Sequence, residues 1–572
     1  MIDAKSEINR KFITYSLIAL VLIVIKHLMV IRLPVEARHY SIDDLLMVQM
    51  AEGLLNGNWL GNYSPYILMK GCFFPILLAV INRVGIPYLC ALDILNTAAC
   101  VFFVWQMRYI VKNKASLLLL FTVLLFDPCL CAARTFQRVY RSSIVEMQTL
   151  FLFGSFFGLY FHIILSKPTD KYYHLKLMLY TLFNGFNLWA VWNTREESAW
   201  VLPFVSVASF IILFELLKNA DNNHLSSKQV CKLVLITAVP FLILLAGNET
   251  VSLLNQHYYG ENVRLEEADG NFADALKTIY SIKNESEIPY ASVSREKVER
   301  LYEFSPSLAS IRAELDNRLD DYIGAGRNKE SNEIEDGWFF WALKSAPYIN
   351  GAADTLPKSQ EFWASVNDEL NAAISDPANE IETINVMPSA LMSPWRPQYS
   401  HELPKSFIQA VRYLVTYKAA LPSIEPTGKA SYPDTRRFEL ITNNLSMYSD
   451  DSFVNQTAAQ KVLLTPVYKK LTIIHSVYHV INPVVAGLGV AAYLLVIILS
   501  IKNKEKNDIP FILVVLGMGA SAVIMVIGAC YTHISAFTAI TYYYLTGAYP
   551  LMLACEWISV LYVLQNIRRI DK

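Results

Sequence analysis

The stretch that decides the fold is FITYSLIALVLIVIKHLMVIRL, residues 12–33. A helix of about 20 apolar residues crosses the ~30 Å hydrocarbon layer of a bilayer, and this run is long enough to do so. Lys5, Arg10 and Lys11 precede it, as basic residues precede the apolar part of a signal peptide. The run is too long for that part, however, and no small-x-small cleavage site follows it. We therefore predict that residues 12–33 form a retained membrane span.

The same kind of run recurs along the chain, which has 572 residues, 54% of them hydrophobic and only 17% charged. A soluble protein would usually carry about 25% charged residues. Because the net charge is -1, nothing indicates a polyanionic partner such as nucleic acid. The predicted spans are 12–33, 88–111, 115–131, 144–166, 175–193, 199–217, 232–251, 474–501, 509–530 and 538–566.

Clusters of lysine and arginine between these runs predict the orientation, because cytoplasmic loops carry an excess of both residues. The clusters fall at alternate connections: Lys5, Arg10 and Lys11; Arg108, Lys112 and Lys114; Lys167, Lys171 and Lys176; Lys218, Lys228 and Lys232; Lys502, Lys504 and Lys506; and Arg568, Arg569 and Lys572. With ten spans, every cluster and both termini are cytoplasmic. We expect this membrane to be a bacterial plasma membrane.

Residues 71–84 are apolar but short. Counting them as a span would invert every later loop and place the lysine clusters outside. We therefore predict a helix at the outer interface, within a long first outer loop that covers residues 34–87.

The sequence thus predicts an all-α polytopic membrane protein in three parts. Residues 1–251 are an N-terminal transmembrane catalytic module, 252–468 an extracytoplasmic domain, and 469–572 the C-terminal transmembrane helices. The middle part is polar, and its stretches 293–304 and 359–374 have helical periodicity. None of the eight cysteines lies between residues 252 and 468, so this domain has no disulfides, and no His/Cys cluster has zinc spacing.

The first outer loop offers two carboxylates and a lysine. Asp43 and Asp44 follow the first span, at the start of a predicted helix. Acidic residues favour helix N-termini, and Ser41 and Asp44 have the spacing of a capping box, so a structural role is the alternative to a catalytic one. Lys70 precedes the short apolar helix, where it either extends to the headgroups or pairs with a lipid phosphate.

The second outer loop contains Arg134, Arg138 and Arg141. Three arginines outside run against the positive-inside bias. Guanidinium binds phosphate through two parallel hydrogen bonds, and ordinary anchoring to headgroups is the alternative.

The third outer loop is the short stretch WNTREESAW, residues 192–200. Ionisable groups this close to lipid are costly and usually face a polar cavity, so we favour a functional role for Arg195, Glu196 and Glu197. Together, the three loops supply carboxylates and cations. If they meet in space, they suit a reaction that needs a base on one side and anion stabilisation on the other.

At these residues the chain resembles the GT-C superfamily of membrane glycosyltransferases, which includes protein O-mannosyltransferases and lipid A aminoarabinose transferases. The matching features are the Asp43-Asp44 pair, a helix with Ala51, Gly53 and Gly57, the Lys70-Gly71-x-x-x-Pro75 run, RVYR at 138–141 and TREE at 194–197. They cover about the first 220 residues, and YYYLTGAYPLM at 542–552 is loosely similar to a pattern near the end of relatives.

The resemblance implies that a sugar moves, with inversion, from a polyprenyl-phosphate or diphosphate donor to an extracytoplasmic glycan or lipid-linked acceptor. It implies that Asp43 and Asp44 are catalytic, the first as the base. It implies no required cofactor and leaves a divalent metal open. The implied donor-phosphate ligands are Lys70, Arg138 and Arg141, and the implied acceptor-binding or supporting residues are Tyr140, Arg195, Glu196, Glu197 and Tyr543.

The chain also departs from these relatives. Ser142 and Ser143 stand where many carry an acidic residue, with Glu146 the nearest substitute, and Tyr543 stands where an arginine is common. A transporter or flippase of an envelope lipid or glycan is the alternative function. Transporters place charged groups and broken helices near the bilayer midplane, often in two related halves, whereas here polar groups gather at one face. A non-catalytic assembly or receptor protein is a further alternative.

Overall fold

The computed structural model is built from α-helices. It describes residues 2–131, 134–219, 227–323, 327–328, 332–386, 393–424, 430–447 and 454–570. The side chains of residues 2–12, 134–135, 454–456 and 567–570 lie outside this description, and with them Arg134 and the predicted basic clusters at the two ends. Among the described residues, the β interactions are isolated bridges such as the one between Val35 and Ser446.

The first part of the chain forms helices wherever the apolar runs lie. They are α1 (Ile2–Val30), α2 (Asp44–Leu55), α3 (Phe73–Val84), α4 (Tyr88–Met107), α5 (Lys114–Leu125), α6 (Pro128–Cys131), α7 (Arg134–Gln137), α8 (Ser142–Leu165), α9 (Tyr173–Trp192), α10 (Leu202–Asn219) and α11 (Ser227–Tyr259). A 3₁₀ segment, Glu196–Val201, leads directly into α10. At 12 residues, α3 is too short to cross a bilayer, as expected for residues 71–84.

The remaining helices belong to the polar region and the C-terminal part. They are α12 (Asn271–Ser281), α13 (Arg295–Phe304), α14 (Pro306–Ser310), α15 (Arg312–Asp321), α16 (Asp336–Asn350), α17 (Leu356–Ser375), α18 (Tyr399–Val415), α19 (Tyr432–Thr442), α20 (Val454–Asn503), α21 (Ile509–Ser535), α22 (Tyr542–Leu545) and α23 (Ala548–Ile570). The predicted helical stretches 293–304 and 359–374 form α13 and α17. Ser294 caps α13, its hydroxyl accepting a hydrogen bond from the Lys297 amide at 3.1 Å.

Eight helical segments of the described residues are long and apolar enough to cross a membrane, so the chain has the helices of a multi-pass membrane protein. They are Ile13–Val30, Tyr88–Met107, Ser142–Leu165, Glu196–Asn219, Ser227–Tyr259, Thr457–Asn503, Lys506–Ser535 and Ala548–Asn566. The other two predicted spans correspond to α9, which carries Lys176, Asn184 and Asn187, and to α5, which has 12 residues.

The predicted span 115–131 differs from the structure, where α5 ends at Leu125 and α6 starts at Pro128. A residue before proline is disfavoured in the helical conformation, which explains the break at Asp127. The Asp127 carboxylate is buried there, accepting hydrogen bonds from the Cys129 amide at 2.8 Å and the Tyr417 hydroxyl at 3.1 Å.

Both predicted boundaries of the polar region fall inside helices. Residue 251 lies within α11, which has 33 residues, and residue 468 lies within α20, which has 50. At 1.5 Å per residue these helices are about 50 Å and 75 Å long, more than the ~30 Å of a hydrocarbon layer. Each therefore continues past its apolar run and ties the polar region to a span.

The polar region contributes to two apolar cores. Residues such as Phe272, Phe340 and Trp363 form a core of their own, which also takes in Met69 of the first loop. Leu414 and Phe438 instead belong to the core of the apolar bundle. Helices α12 to α17 therefore pack mainly over the first loop, while α18 and α19 contribute to the core of the apolar bundle.

A buried carboxylate, Glu266, fixes the first of these contacts. Its amide donates to the Leu68 carbonyl at 2.9 Å, and its side chain lies 2.6 Å from the Lys344 ammonium and accepts from the Ser359 hydroxyl at 2.7 Å. Burial lowers the pKa of Lys344, although Glu266 opposes this effect. Glu266 thus holds the polar region against the residues that precede Lys70.

Candidate active site

One polar cavity of about 400 Å³ lies where the loops before α2 and α8, the 3₁₀ segment, α16 and the residues before α22 meet. Its walls carry both signs of charge and several aromatic rings. The lining residues are Ile42, Asp43, Met69, Lys70, Arg138, Tyr140, Arg141, Arg195, Glu196, Glu197, Glu267, Glu335, Gly337, Trp338, Trp341, Phe537, Thr538, Tyr543 and Tyr544.

The structure brings the residues singled out from the sequence to this one place. Nine of the ten line the cavity, namely Asp43, Lys70, Arg138, Tyr140, Arg141, Arg195, Glu196, Glu197 and Tyr543. The tenth, Asp44, is fully buried behind Arg138. Carboxylates and cations from all three predicted outer loops therefore share a cavity, while the chemical role of each stays a prediction.

Asp43 is the accessible member of the acidic pair, with 31% of its side chain exposed. Its Oδ1 accepts from the Tyr140 hydroxyl at 2.9 Å and lies 3.3 Å from Lys70 Nζ, and its Oδ2 lies 3.5 Å from Arg138 Nη2. Burial alone would raise the pKa of Asp43, but Lys70 and Arg138 outweigh it and hold that pKa well below its usual value. The carboxylate is therefore ionised at neutral pH.

Asp44 has a different environment, although it is the next residue. Its side chain is inaccessible and accepts two hydrogen bonds from Arg138, at 2.6 Å from Nε and 2.5 Å from Nη2. The N-cap residue of α2 is Asp43, whose side chain makes no capping hydrogen bond, so helix capping does not account for the pair. Asp44 instead fixes the plane and position of a buried guanidinium.

Aromatic rings hold the other faces of Arg138. Its Cζ lies 4.3 Å from the ring centroid of Tyr140 and 4.6 Å from that of Tyr543, and the two rings are nearly perpendicular. Arg38 in turn donates to the Tyr543 hydroxyl at 3.4 Å. Tyr543 therefore contacts two arginines, Arg138 through its ring and Arg38 through its hydroxyl.

Lys70 owes its position to a close approach of two backbones. A Cβ on Gly71 would lie 2.1 Å from the Asn193 carbonyl oxygen, so no side chain fits there. The Phe73 amide donates to that same oxygen at 3.0 Å. These contacts hold the loop that contains Lys70 and Gly71 against the loop that contains Arg195. Lys70 Nζ also lies 5.1 Å from the ring centroid of Trp341.

Two further ion pairs line the cavity beside Lys70. Arg141 pairs with Glu196 and also donates to the Thr194 carbonyl at 3.1 Å and to the Tyr140 hydroxyl at 3.0 Å. Arg195 Nε donates to Glu197 Oε1 at 2.5 Å. Arg141 Nε and Arg195 Nη1 are buried without a hydrogen-bond partner, so both guanidinium groups retain donor capacity.

The polar region supplies residues that the sequence did not single out. Glu267, Glu335, Trp338 and Trp341 all line the cavity opposite Lys70. Burial and the neighbouring carboxylate of Glu196 raise the pKa of Glu267 well above its usual value, while Lys70 and Arg141 oppose this effect. The acidic run at 266–269, directly after α11, was the available sequence signal.

Ser143 and Glu146, at the start of α8, do not line the cavity. Glu146 is fully buried in α8, where it accepts from the Tyr542 hydroxyl at 3.2 Å, and Ser143 contacts the Tyr88 hydroxyl at 2.6 Å. Neither takes the place of an acidic second-loop residue in the cavity. Among the described residues, no group of three or more His, Cys, Asp or Glu side chains is arranged to hold a metal ion.

Comparison with known proteins adds no relative: no family model, no curated protein and no solved structure matches this chain. The chemistry of the cavity must therefore be argued from its own residues. An ionised, accessible carboxylate lies among four cations, with the walls of an apolar bundle on one side and a polar region on the other.

Proposed function

We propose that this protein is a GT-C type membrane glycosyltransferase with ten spans, formed by the eight apolar segments together with α5 and α9. In this proposal the cavity and the polar region lie on the non-cytoplasmic side. The observation that supports the proposal is the placement of Asp43, which is partly exposed in a polar cavity and contacts Lys70 and Arg138.

Lys70, Arg141 and Arg138 are the proposed ligands of the donor phosphate. Lys70 has a single carboxylate contact, at 3.3 Å, and an ammonium has three donors, so it can bind a phosphate oxygen as well. Arg141 has an unused Nε donor. Arg138 is already held by Asp44 and contributes mainly charge, since both of its strong hydrogen bonds go to that carboxylate.

An apolar groove that begins six residues after Glu197 along the chain suits the lipid part of such a donor. It has a volume of about 390 Å³ and lies between α8, α10 and α21. Pro203 and Phe204 line it, and they follow Glu197 by six and seven residues in the continuous 3₁₀–α10 segment. A polyprenyl chain in this groove would place its phosphate near Arg195 and Arg141.

In the proposed reaction Asp43 acts on the acceptor, and the neighbouring cations act on the donor phosphate. Asp43 removes the proton of an acceptor hydroxyl, and that oxygen attacks the anomeric carbon of the donor sugar. The bond from the anomeric carbon to the phosphate oxygen breaks, and the departing lipid phosphate takes the electron pair. Attack from the opposite face inverts the anomeric configuration, and the cations stabilise the leaving group.

Binding of the donor phosphate should also change the pKa of Asp43. Lys70 and Arg138 hold the pKa of Asp43 low, which makes it a weak proton acceptor. A phosphate near Lys70 offsets part of that positive charge, which raises the basicity of Asp43. The base is thus strongest once the donor is in place.

The test is turnover by the purified full-length protein with polyprenyl-phosphate sugars and candidate envelope glycans. Asp43→Asn should lower the release of polyprenyl phosphate by roughly 10²–10⁴-fold, the usual contribution of a general base. Asp274→Asn makes the same change at an exposed ion pair outside the cavity and should leave turnover unchanged. Normal turnover by Asp43→Asn would show that the base is another group.

A transporter is the second candidate, because ionisable side chains are also buried within the bundle. Lys26 Nζ of α1 lies 3.1 Å from Asp93 Oδ1 of α4, and Asp127 is buried where α5 ends. Intramembrane charges and broken helices are features of transporters. Movement of a labelled envelope lipid across proteoliposomes that contain the protein but no acceptor would favour this function over sugar transfer.

A further inference from the structure

A second groove lies among the spanning helices, far from the candidate active site. It has a volume of about 570 Å³ and lies between α1, α4 and α5. Its α1 wall begins at Tyr15, about 22 Å along the helix from Val30. Asp43 lies beyond the C-terminal end of α1, and none of the groove's lining residues lines the cavity that contains Asp43.

One end of the groove is basic and the rest is apolar. Arg108, Lys112 and Lys114 line the basic end, where α4 connects to α5. Ile23 and Phe121 line the deeper part. None of the described side chains that line the groove is a carboxylate, so this lining has a basic head and an apolar body.

The guanidinium of Arg108 is held in place by neutral partners. Its Cζ lies 4.2 Å from the ring centroid of Trp105 and 4.1 Å from that of Tyr109. It also donates hydrogen bonds to the Trp105 carbonyl and the Tyr109 hydroxyl. These contacts fix the side chain and leave its charge without a carboxylate partner, which suits recognition of an external anion.

The walls of the groove face the hydrocarbon layer. Val101 is 46% exposed and Trp105 is 54% exposed, although both belong to an apolar helix. In a bilayer, lipid chains cover such surfaces. Trp and Tyr are typical of the level at which headgroups meet hydrocarbon, and Trp105 and Tyr109 stand between the apolar body and the basic head of the groove.

We propose that this groove binds an anionic phospholipid of the surrounding bilayer. Its phosphate contacts Arg108, Lys112 and Lys114, and one acyl chain runs along α1 and α4 towards Ile23. A soluble phosphate would leave the apolar body of the groove empty, whereas a phospholipid fills both parts. Each cation near the headgroup favours an anionic over a zwitterionic lipid by about fivefold, so Arg108 and Lys112 alone predict a preference above tenfold.

Trp105 provides a direct readout of this site. We would reconstitute the full-length protein in phosphatidylcholine vesicles that contain 10 mol% of either dibrominated phosphatidylglycerol or dibrominated phosphatidylcholine. Bromine quenches tryptophan on contact, and the Trp105→Phe variant separates the signal of Trp105 from that of the other tryptophans. We expect the Trp105 signal to be quenched more by the anionic lipid, with a relative association constant of at least ten.

Charge substitutions then locate the headgroup. The triple change Arg108→Gln, Lys112→Gln, Lys114→Gln should bring the relative association constant close to one. Lys112→Gln alone changes an exposed side chain and should lower it about fivefold, so the test does not depend on the triple variant folding. The matched control neutralises three exposed lysines of another predicted cytoplasmic loop, Lys167, Lys171 and Lys176.

Three outcomes would overturn the proposal. Equal quenching by the two lipids in the unmodified protein would show that the groove does not select an anion. A preference that persists in Lys112→Gln and in the triple variant would place the headgroup elsewhere. An equal loss in the Lys167, Lys171, Lys176 control would show general attraction to the membrane surface. A preference that falls only in the groove variants supports the site.

Discussion

Replacing Asp44 by asparagine should destabilise this protein far more than the same kind of change at an exposed ion pair. The Arg138 guanidinium donates two hydrogen bonds to Asp44, at 2.6 and 2.5 Å, and the exposed fractions of the two side chains are 5% and 0%. Asparagine keeps the shape but loses the charge and one acceptor. It therefore leaves a buried guanidinium whose nearest remaining carboxylate oxygen is 3.5 Å away, on Asp43.

The expected magnitude follows from this burial. Removing one partner of a buried ion pair costs about 3–5 kcal/mol, because the other charge stays desolvated. Asp43 offsets part of that cost, so we expect about 3 kcal/mol for Asp44→Asn. Arg138→Gln should cost a similar amount. The double variant should cost less than the sum of the two, with a coupling energy of about 2–3 kcal/mol.

Equilibrium unfolding in mixed detergent micelles, followed by circular dichroism, measures these differences. Glu299→Gln is the matched control: Glu299 pairs with Arg312 at 2.7 Å, yet the exposed fractions of these side chains are 55% and 53%. An exposed pair contributes less than about 1 kcal/mol. If Asp44→Asn costs no more than this control, or if the two substitutions at the buried pair are additive, the assigned role of Asp44 in holding Arg138 is wrong.

Three further predictions concern the same cavity. The pKa of Asp43 is lower in the folded than in the unfolded protein. The stabilising contribution of this carboxylate is therefore present above about pH 4 and is lost as the pH falls further. The difference in unfolding free energy between the unmodified protein and Asp43→Asn should shrink over the same pH range. Gly71→Ala should destabilise the protein and abolish donor binding because its Cβ would overlap the Asn193 carbonyl, whereas Gly528→Ala, with open space around it, should be neutral or slightly stabilising in thermal unfolding. Lys70→Ala should weaken binding of the donor lipid more than binding of the acceptor in separate titrations, and an equal effect on both would remove Lys70 from the phosphate site.

Much of the fold could be predicted because the signals are local. An apolar run of about 20 residues predicts a spanning helix whatever surrounds it, and each predicted span corresponds to a helix in the structure. The prediction was wrong where a local signal interrupted the run, as at Asp127-Pro128. It was also wrong in ending the helices with the apolar residues, because α11 and α20 continue into polar sequence.

The candidate site was predictable in its residues but not in its arrangement. An ionisable side chain beside an apolar run is costly in free energy and usually faces a polar cavity. This rule identified Asp43, Lys70, Arg138 and Arg195. Glu267 and Trp341 were missed, because the acidic stretch at 266–269 resembles other charged stretches of the polar region and nothing local distinguishes Trp341. Only packing of the polar region over the first loop, through Glu266, brings them to the cavity.

The amino-acid sequence by itself determined a helical membrane protein with acids and cations at the ends of its spans, because hydrophobic length and charge act over short stretches of chain. Only the tertiary structure separated Asp43 from Asp44. They are adjacent, identical residues, and Arg138, 94 residues away from Asp44, decides which carboxylate is buried and which one faces the cavity. Burial and pairing depend on contacts distant in sequence, and these set the chemistry of a carboxylate.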